Sequence, residues 1–242
     1  MLRTLGWVIW LFGYLVSRLP FYWKAKSLQK KGDIAGKEAA VDKQVQLWTT
    51  RLLHHLKTRV ILEGVENMPP PDEPVVFACN HQSFVDIPVI LDVIRPVRPI
   101  LARTGIGKVP MLSGWMNLIG CIYVDRDDVR ASVAALREGE AILESGRSMI
   151  LFPDGTRSKG DAMGTFEPGA VRMAWKAGVR IIPIAIDGTW KVLEGNDYKI
   201  QPADVRVTIL PAVEAKDLSK ADQKALPGRL EEMIREAKDR AL

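Results

Sequence analysis

The chain has 242 residues, 47% of them apolar and 26% charged, with two cysteines. That is one large domain, or one domain with a small appendage, and it excludes both a disordered chain and a disulfide-stapled secreted scaffold, so a reducing compartment is expected. The formal charge of +5 is uneven: residues 1–60 hold 11 Lys+Arg against 3 Asp+Glu, the remainder 23 against 26.

Thr4 to Ser17 is a run of 14 uncharged residues ended by Arg18 and Pro20, whereas a bilayer span takes about 20. Arg3 precedes the run as in a signal peptide, but no small-residue cleavage site follows it. The segment is rich in aromatics, among them Trp7, Trp10, Phe12, Tyr14, Phe21, Tyr22 and Trp23, and Lys24, Lys26, Lys30 and Lys31 come next. Rings settle at a membrane interface while cations meet lipid phosphate, so this pattern predicts attachment to an anionic bilayer surface. From Val41 to Leu56, apolar residues recur at three- and four-residue spacings (Val41, Val45, Trp48, Leu52, Leu56) beside Lys43, Arg51 and Lys57. Together the two stretches predict an amphipathic two-helix hairpin, residues 1–58, lying in one leaflet.

Past residue 59 short apolar runs alternate with helical periods. Strands are expected at Val60–Leu62, Val75–Ala78, Pro99–Ala102, Cys121–Val124, Ser148–Phe152, Ile181–Ile186 and Val205–Leu210. Helices are expected at Val85–Ile94, Met111–Leu118, Val129–Ser145, Gly169–Ala177 and Ala221–Ala241. Such alternation predicts an α/β domain, residues 59–242, with a largely parallel or mixed central sheet flanked by helices; Trp190 to Ile209 adds a candidate antiparallel strand pair. Ligands of such sheets bind at the carboxyl ends of the strands, and four chemical clusters fall at or near those ends.

The first is Asn80-His81-Gln82-Ser83-Phe84-Val85-Asp86. A histidine takes a proton near neutral pH, and a carboxylate on its other ring nitrogen fixes the tautomer and stabilises the imidazolium. On one helix the two residues would lie about 140° out of phase, so they meet only if the chain turns between them, with Ser83 as the candidate cap. A structural histidine–carboxylate pair in a loop is the competing interpretation of this cluster alone. The second cluster, Gly120 to Arg126, delivers an arginine at a strand end. The third, Phe152-Pro153-Asp154-Gly155-Thr156-Arg157-Ser158, is a glycine turn with another. Two arginines from neighbouring strand ends suit a phosphate dianion, although Arg126 also has Asp125 and Asp127 beside it as ion-pair partners. The fourth, Ile182-Pro183-Ile184, is structural: proline in an apolar strand implies an edge or a local break in pairing.

These four clusters, in this order over roughly residues 60–190, resemble the motifs of the glycerolipid acyltransferase family, most closely its bacterial 1-acylglycerol-3-phosphate acyltransferases. The resemblance implies that His81 and Asp86 are the catalytic pair and that Arg126, Asp154, Gly155, Thr156 and Arg157 bind substrate. Arg103 and Lys108 stand where the family has lysines ahead of its second motif. It implies acyl transfer from an acyl-CoA or acyl carrier protein thioester to the free hydroxyl of lysophosphatidate, without a cofactor or metal, by an enzyme held monotopically on membrane lipids at the cytoplasmic face of the cell membrane. No nucleic-acid partner is implied. Glycerol 3-phosphate and larger lysophospholipids are alternative acceptors, and a lipid-ester hydrolase or a non-catalytic lipid-binding protein are readings from other classes. One departure stands out: Asp154 occupies a position where the family carries glutamate.

The chemistry of the residues favours direct transfer. His81 would take the hydroxyl proton, Asp86 would hold the ring, and backbone amides near the turn would meet the developing oxyanion. The chain has no Gly-x-Ser-x-Gly elbow for an acyl-enzyme. Cys79, two residues before His81, is the rival nucleophile, with a small buried strand cysteine as the expected reading. His54, His55 and His81 form no ligand set.

Overall fold

Residues 75–79 read Val-Val-Phe-Ala-Cys, a continuous run of strand formers with no polar alternation, which suits a parallel strand covered on both faces. In the computed structural model, which describes residues 2–125 and 127–240, this run is a fully buried strand near the middle of a sheet. In chain order the regular elements are α1 (Leu2–Ser17), α2 (Leu19–Lys30), α3 (Ile34–Leu56), β1 (Arg59–Glu63), β2 (Val75–Cys79), α4 (Asp86–Val93), β3 (Leu101–Arg103), α5 (Leu112–Ile119), β4 (Ile122–Val124), α6 (Val129–Glu144), β5 (Met149–Leu151), α7 (Pro168–Ala177), β6 (Arg180–Asp187), β7 (Asp204–Ile209) and α8 (Lys220–Asp239). From residue 59 onward each expected strand and helix is present, with ends moved by one or two residues. Arg126, the side chain of Trp7 and Ala241 lie outside the described residues.

Five strands form a mixed sheet in the order β1-β7-β6-β2-β5. All pairs are parallel except β6 with β7. A separate parallel pair, β3-β4, continues from β5 through one bridge, Ile100 to Ile150. Residues 189–196 are short 3-10 turns rather than a strand, so the antiparallel partner of β7 is β6. Pro183 stands inside β6, a central strand and not an edge. It lies in the gap between the Ile184–Ile209 pairing and the Ile181–Val213 bridge, where the β7 ladder is interrupted.

Apolar residues alternate across the sheet. Val75, Phe77 and Cys79 join one core with α4, α5 and the buried face of α3, while Val76 and Ala78 join the other with α6, α7 and α8. Helix starts follow local chemistry: Asp128 caps α6 by accepting from the Arg130 and Ala131 amides at 2.8 and 3.1 Å, and Asp33 caps α3 through Gly36. That cap sets the beginning of α3 seven residues before the apolar period becomes evident in the sequence. Gly120 and Gly178 end α5 and α7 in left-handed conformations.

The amino-terminal segment is three helices. Arg18 breaks the first run, and its guanidinium lies over the rings of Tyr14 and Phe21 at 5.0 and 5.3 Å. α2 returns along α3 as a hairpin, and α3 buries Val41, Val45, Leu52, Leu53 and Leu56 in the same core as β2 and α4. α3 packs into the body of the molecule, and α1–α2 lie against the same core through Trp10, Leu15, Tyr22 and Ala25. On the outer face of α1–α2, Phe12, Val16, Phe21 and Trp23 are exposed, as are Lys24, Lys26, Lys30 and Lys31. Among the described residues no helix is long and apolar enough to cross a membrane.

Candidate active site

β6, β2 and β5 lie side by side and parallel, so their carboxyl ends bring three loops together: residues 80–85, 152–167 and 188–196. The first loop turns immediately after β2. Asn80 anchors it to the neighbouring strand, its side chain donating to the Ile186 carbonyl and accepting from the Ile186 amide at 2.9 and 2.7 Å. The turn returns Asp86 to His81, whose Nδ1 lies 2.6 Å from Asp86 Oδ2. That oxygen also accepts from the amides of Gln82 and Ser83 at 2.7 and 2.8 Å, and Oδ1 accepts from the Thr189 hydroxyl. A buried carboxylate with four donors is held stationary, and it orients the ring through Nδ1. The ring of His81 packs on Phe152 at 4.3 Å and is 17% exposed, leaving Nε2 as the nitrogen that can reach a substrate.

Ser83 does not cap α4. The cap position is Val85, and the Ser83 hydroxyl accepts from the Val85 amide while donating to Glu194. The amides of this turn are committed as well. His81 N–H donates to Asp154 at 2.8 Å, those of Gln82 and Ser83 to Asp86, that of Phe84 to Glu194 at 3.0 Å, and that of Val85 to Ser83. The expectation that they meet an oxyanion therefore fails for residues 81–85, because side-chain acceptors already occupy them.

The third cluster docks on the first. Ser158 and Lys159 donate their amides to the carbonyls of His81 and Gln82, and Gly155 turns with φ of 66°. Asp154 lies beneath His81, 6% exposed, and does not brace Arg157. Burial pushes its carboxyl up to about 7, against the opposing pull of the His81 amide and ring, and its Oδ1 has no hydrogen-bond partner among the described residues. Thr156 is exposed, and Arg157 reaches across to Glu194, its guanidinium 3.4 Å from the centre of the Phe84 ring. Cys79 is fully buried at the end of β2, and desolvation drives its thiol well above the usual range, away from a nucleophile's thiolate.

Arg103 ends β3 and Lys108 ends the 3-10 turn Thr104–Lys108, both exposed. β3 stands between β5 and β4, so Arg103, not the arginine after β4, comes from the strand end next to that of Arg157. Arg126 is among the positions not described. No group of three or more His, Cys, Asp or Glu among the described residues is placed to hold a metal.

Two residues escaped sequence reasoning. Thr189 and Glu194 lie in the loop after β6, beyond the fourth cluster. The available signal was positional: this is the third parallel strand end beside β2, and Gly188 (φ 94°) makes the turn there, where any Cβ would stand 2.6 Å from the Asp204 carbonyl.

Next to the turn, at Phe84 and Val85, a cavity of about 500 Å³ runs between α1, α3, α4 and α5, past Trp48, Leu52, Leu112 and Trp115. Its walls are almost wholly apolar. The site thus joins an ordered histidine–aspartate pair, a cation and an alkyl-lined cavity.

A family model described as Acyltransferase matches residues 59–187. The chain is 36% identical over 165 residues to a chloroplastic 1-acyl-sn-glycerol-3-phosphate acyltransferase of Arabidopsis thaliana, covering 68% of this chain and 45% of that protein. It is 24% identical over 191 residues to the 1-acyl-sn-glycerol-3-phosphate acyltransferase of Borreliella burgdorferi, covering 79% and 74%. The crystal structure of the 1-acyl-sn-glycerophosphate (LPA) acyltransferase PlsC from Thermotoga maritima aligns with a TM-score of 0.83 at 26% identity, over 99% of this chain and 95% of that one. The match spans under half the length of the plant and algal relatives.

Proposed function

The chain belongs to the acyltransferase family, and from that premise we propose that it moves a fatty acyl group from an acyl-CoA or acyl carrier protein thioester to the free hydroxyl of 1-acylglycerol 3-phosphate, giving phosphatidic acid. The observation that carries this reading is the His81–Asp86 pair at 2.6 Å beside an apolar cavity of about 500 Å³. An alkyl chain needs such a cavity, and a hydroxyl nucleophile needs such a base.

In the proposed reaction Nε2 of His81 accepts the hydroxyl proton as the oxygen attacks the thioester carbonyl. Asp86 stabilises the imidazolium, which then protonates the departing thiolate. The oxyanion falls to the turn of the third cluster: the Thr156 and Arg157 amides have no acceptor among the described residues, unlike those of 81–85. Asp154 fixes the backbone of His81, and Arg157 with Arg103, Lys108 and Arg126 receives the acceptor's phosphate.

Membrane lipids are the proposed surroundings, with the exposed aromatics of α1–α2 in the headgroup region and the lysines behind them on anionic lipid. Attachment is proposed at the cytoplasmic face, where acyl thioesters are made and used.

Incubation with a long-chain acyl-CoA, with and without lysophosphatidate in detergent micelles, tests the reaction. Thiol release that depends on acceptor, with phosphatidic acid identified by mass, is expected. Release independent of acceptor would make the protein a hydrolase instead.

A further inference from the structure

Glu194 sits in the short turn Glu194–Asn196 after β6, outside residues 59–187 and outside all four sequence clusters. Its side chain is 1% exposed. A carboxylate buried that far is costly unless donors surround it, and here three do. Oε2 accepts from the Ser83 hydroxyl at 2.5 Å, and Oε1 accepts from the Phe84 amide at 3.0 Å and from Arg157 at 2.7 Å. Two of these donors belong to the turn that carries His81, two and three residues beyond it. The third is the cation of the loop after β5. One buried side chain therefore ties the phosphate-facing arginine to the base.

With three donors and a side chain 1% exposed, the Glu194 carboxylate presents no free face to a substrate, so it does not exchange a proton with the reacting groups. Its effect is on Arg157. The pair is neutral as a unit, and the guanidinium is fixed twice, by the carboxylate along one edge and by the Phe84 ring against its face at 3.4 Å. Its remaining N–H groups have no partner among the described residues, and the side chain is 20% exposed, so an incoming anion can reach them.

We infer that Glu194 is a positioning residue for acyl transfer, setting the spacing between Arg157 and His81 to the short distance between the phosphate and the free hydroxyl of a glycerophosphate acceptor. This rests on the reading of the protein as an acyltransferase. The hydroxyl and the phosphate of such an acceptor are separated by only a few bonds, so a cation that drifts places the hydroxyl away from Nε2 even when phosphate is bound. The charge needed to attract the dianion comes from Arg103, Lys108 and Arg126; Arg157, already neutralised, supplies direction.

The test is steady-state kinetics of Glu194→Ala, Glu194→Gln, Arg157→Ala and the Glu194→Ala/Arg157→Ala double variant, with acyl-CoA and lysophosphatidate varied separately and folding checked by thermal unfolding. Glu194→Ala should lower kcat/KM for lysophosphatidate on the order of 10- to 100-fold, the size of one lost charge-assisted contact, and leave KM for acyl-CoA unchanged. Glu194→Gln keeps an oxygen for Phe84 and Arg157 and an amide for Ser83, and should recover most of that loss. The double variant should be no worse than Arg157→Ala alone.

A folded Glu194→Ala with unaltered acceptor kinetics overturns the inference, as does a loss that falls equally on donor and acceptor or multiplies with that of Arg157→Ala. If Glu194→Ala fails to fold, Glu194→Gln decides. Near wild-type acceptor kinetics support positioning by hydrogen-bond geometry, and a Gln variant as impaired as Arg157→Ala overturns it. Wild-type protein that releases no thiol in the presence of lysophosphatidate removes the acyltransferase reading and this inference with it, an outcome distinct from an active wild type with indifferent variants.

Discussion

The turn after β2 and the helices at the amino end are held by opposite means. Between His81 and Val85 each amide donates to a side-chain oxygen; Ser83 and Asp86 supply the local acceptors, and Asp154 and Glu194 supply two from loops far away in sequence. Where α1 meets α3 the contacts are mainly ring on ring, cation on ring and apolar, while hydrogen bonds such as Thr49 to Asp92 and the Val97 amide to Asp42 tie α3 to the body behind it. Trp10 stacks on His55 at 4.8 Å and on Tyr14 at 5.5 Å, and the buried polar atoms Tyr14 Oη, Gln44 Oε1 and Trp48 Nε1 have no hydrogen-bond partner among the described residues. Directional bonds fix a reacting geometry to a fraction of an ångström, which proton transfer requires. Dispersion and apolar burial are non-directional, and they suit the proposed roles of a wall for alkyl chains and a face against lipid. On the proposed function, directional bonds hold the site of proton transfer and non-directional packing lines the wall that would receive hydrocarbon.

The harshest way to break that contrast is to remove the base. His81→Ala is expected to cut acyl transfer about 100- to 10,000-fold with the thermal midpoint and vesicle binding intact; near-normal turnover by a folded variant would reject the mechanism.

Asp154 sharpens the contrast through pH. Its carboxyl, at about 7 in the folded protein against the ordinary 3.8, binds a proton that the unfolded chain has already released between those values. Stability is therefore lost as pH rises from about 4 toward 7, by roughly 1.4 kcal/mol for each unit of difference. Asp154→Asn keeps an acceptor for the His81 amide and removes the titration, so its unfolding midpoint should change less than that of the wild type between pH 5 and 8. Parallel curves would place the titration elsewhere.

Thr189→Val conserves shape but takes the donor from Asp86 Oδ1, leaving a buried carboxylate oxygen unpaired. It should cost about 1–3 kcal/mol of stability and lower kcat more than it raises either KM. An unchanged kcat would mean that the other three donors suffice to hold Asp86.

On the permissive side single changes should be mild. Phe12→Ser with Trp23→Ser removes two exposed rings, each contributing about 25 cal/mol per Å² that it buries in lipid. Binding to anionic vesicles should weaken by this double change and, separately, by salt, with neither alone releasing the protein fully. Sedimentation of vesicle-bound protein in low and high salt measures both; binding indifferent to both changes would move the membrane face away from α1–α2.

Local pattern was enough to locate the strands and helices of the body, because apolar periods of 2 and 3.6 are written in neighbouring residues. The same holds for the aromatic-then-basic character of the amino end; the His81–Asp86 contact was legible only as something a turn between them would allow, and its catalytic reading came from the order of four motifs rather than from local pattern. The sequence by itself did not determine that α3 belongs to the core, that the amides of 81–85 are occupied, or that Asp154 supports His81 rather than Arg157. Those were decided by which strand ends adjoin: β6 beside β2 brings Thr189 to Asp86 across 103 residues and Glu194 to Ser83 across 111. A buried polar contact between remote residues leaves no period in the chain, since it depends on strand order and on the need to satisfy every donor once water is excluded.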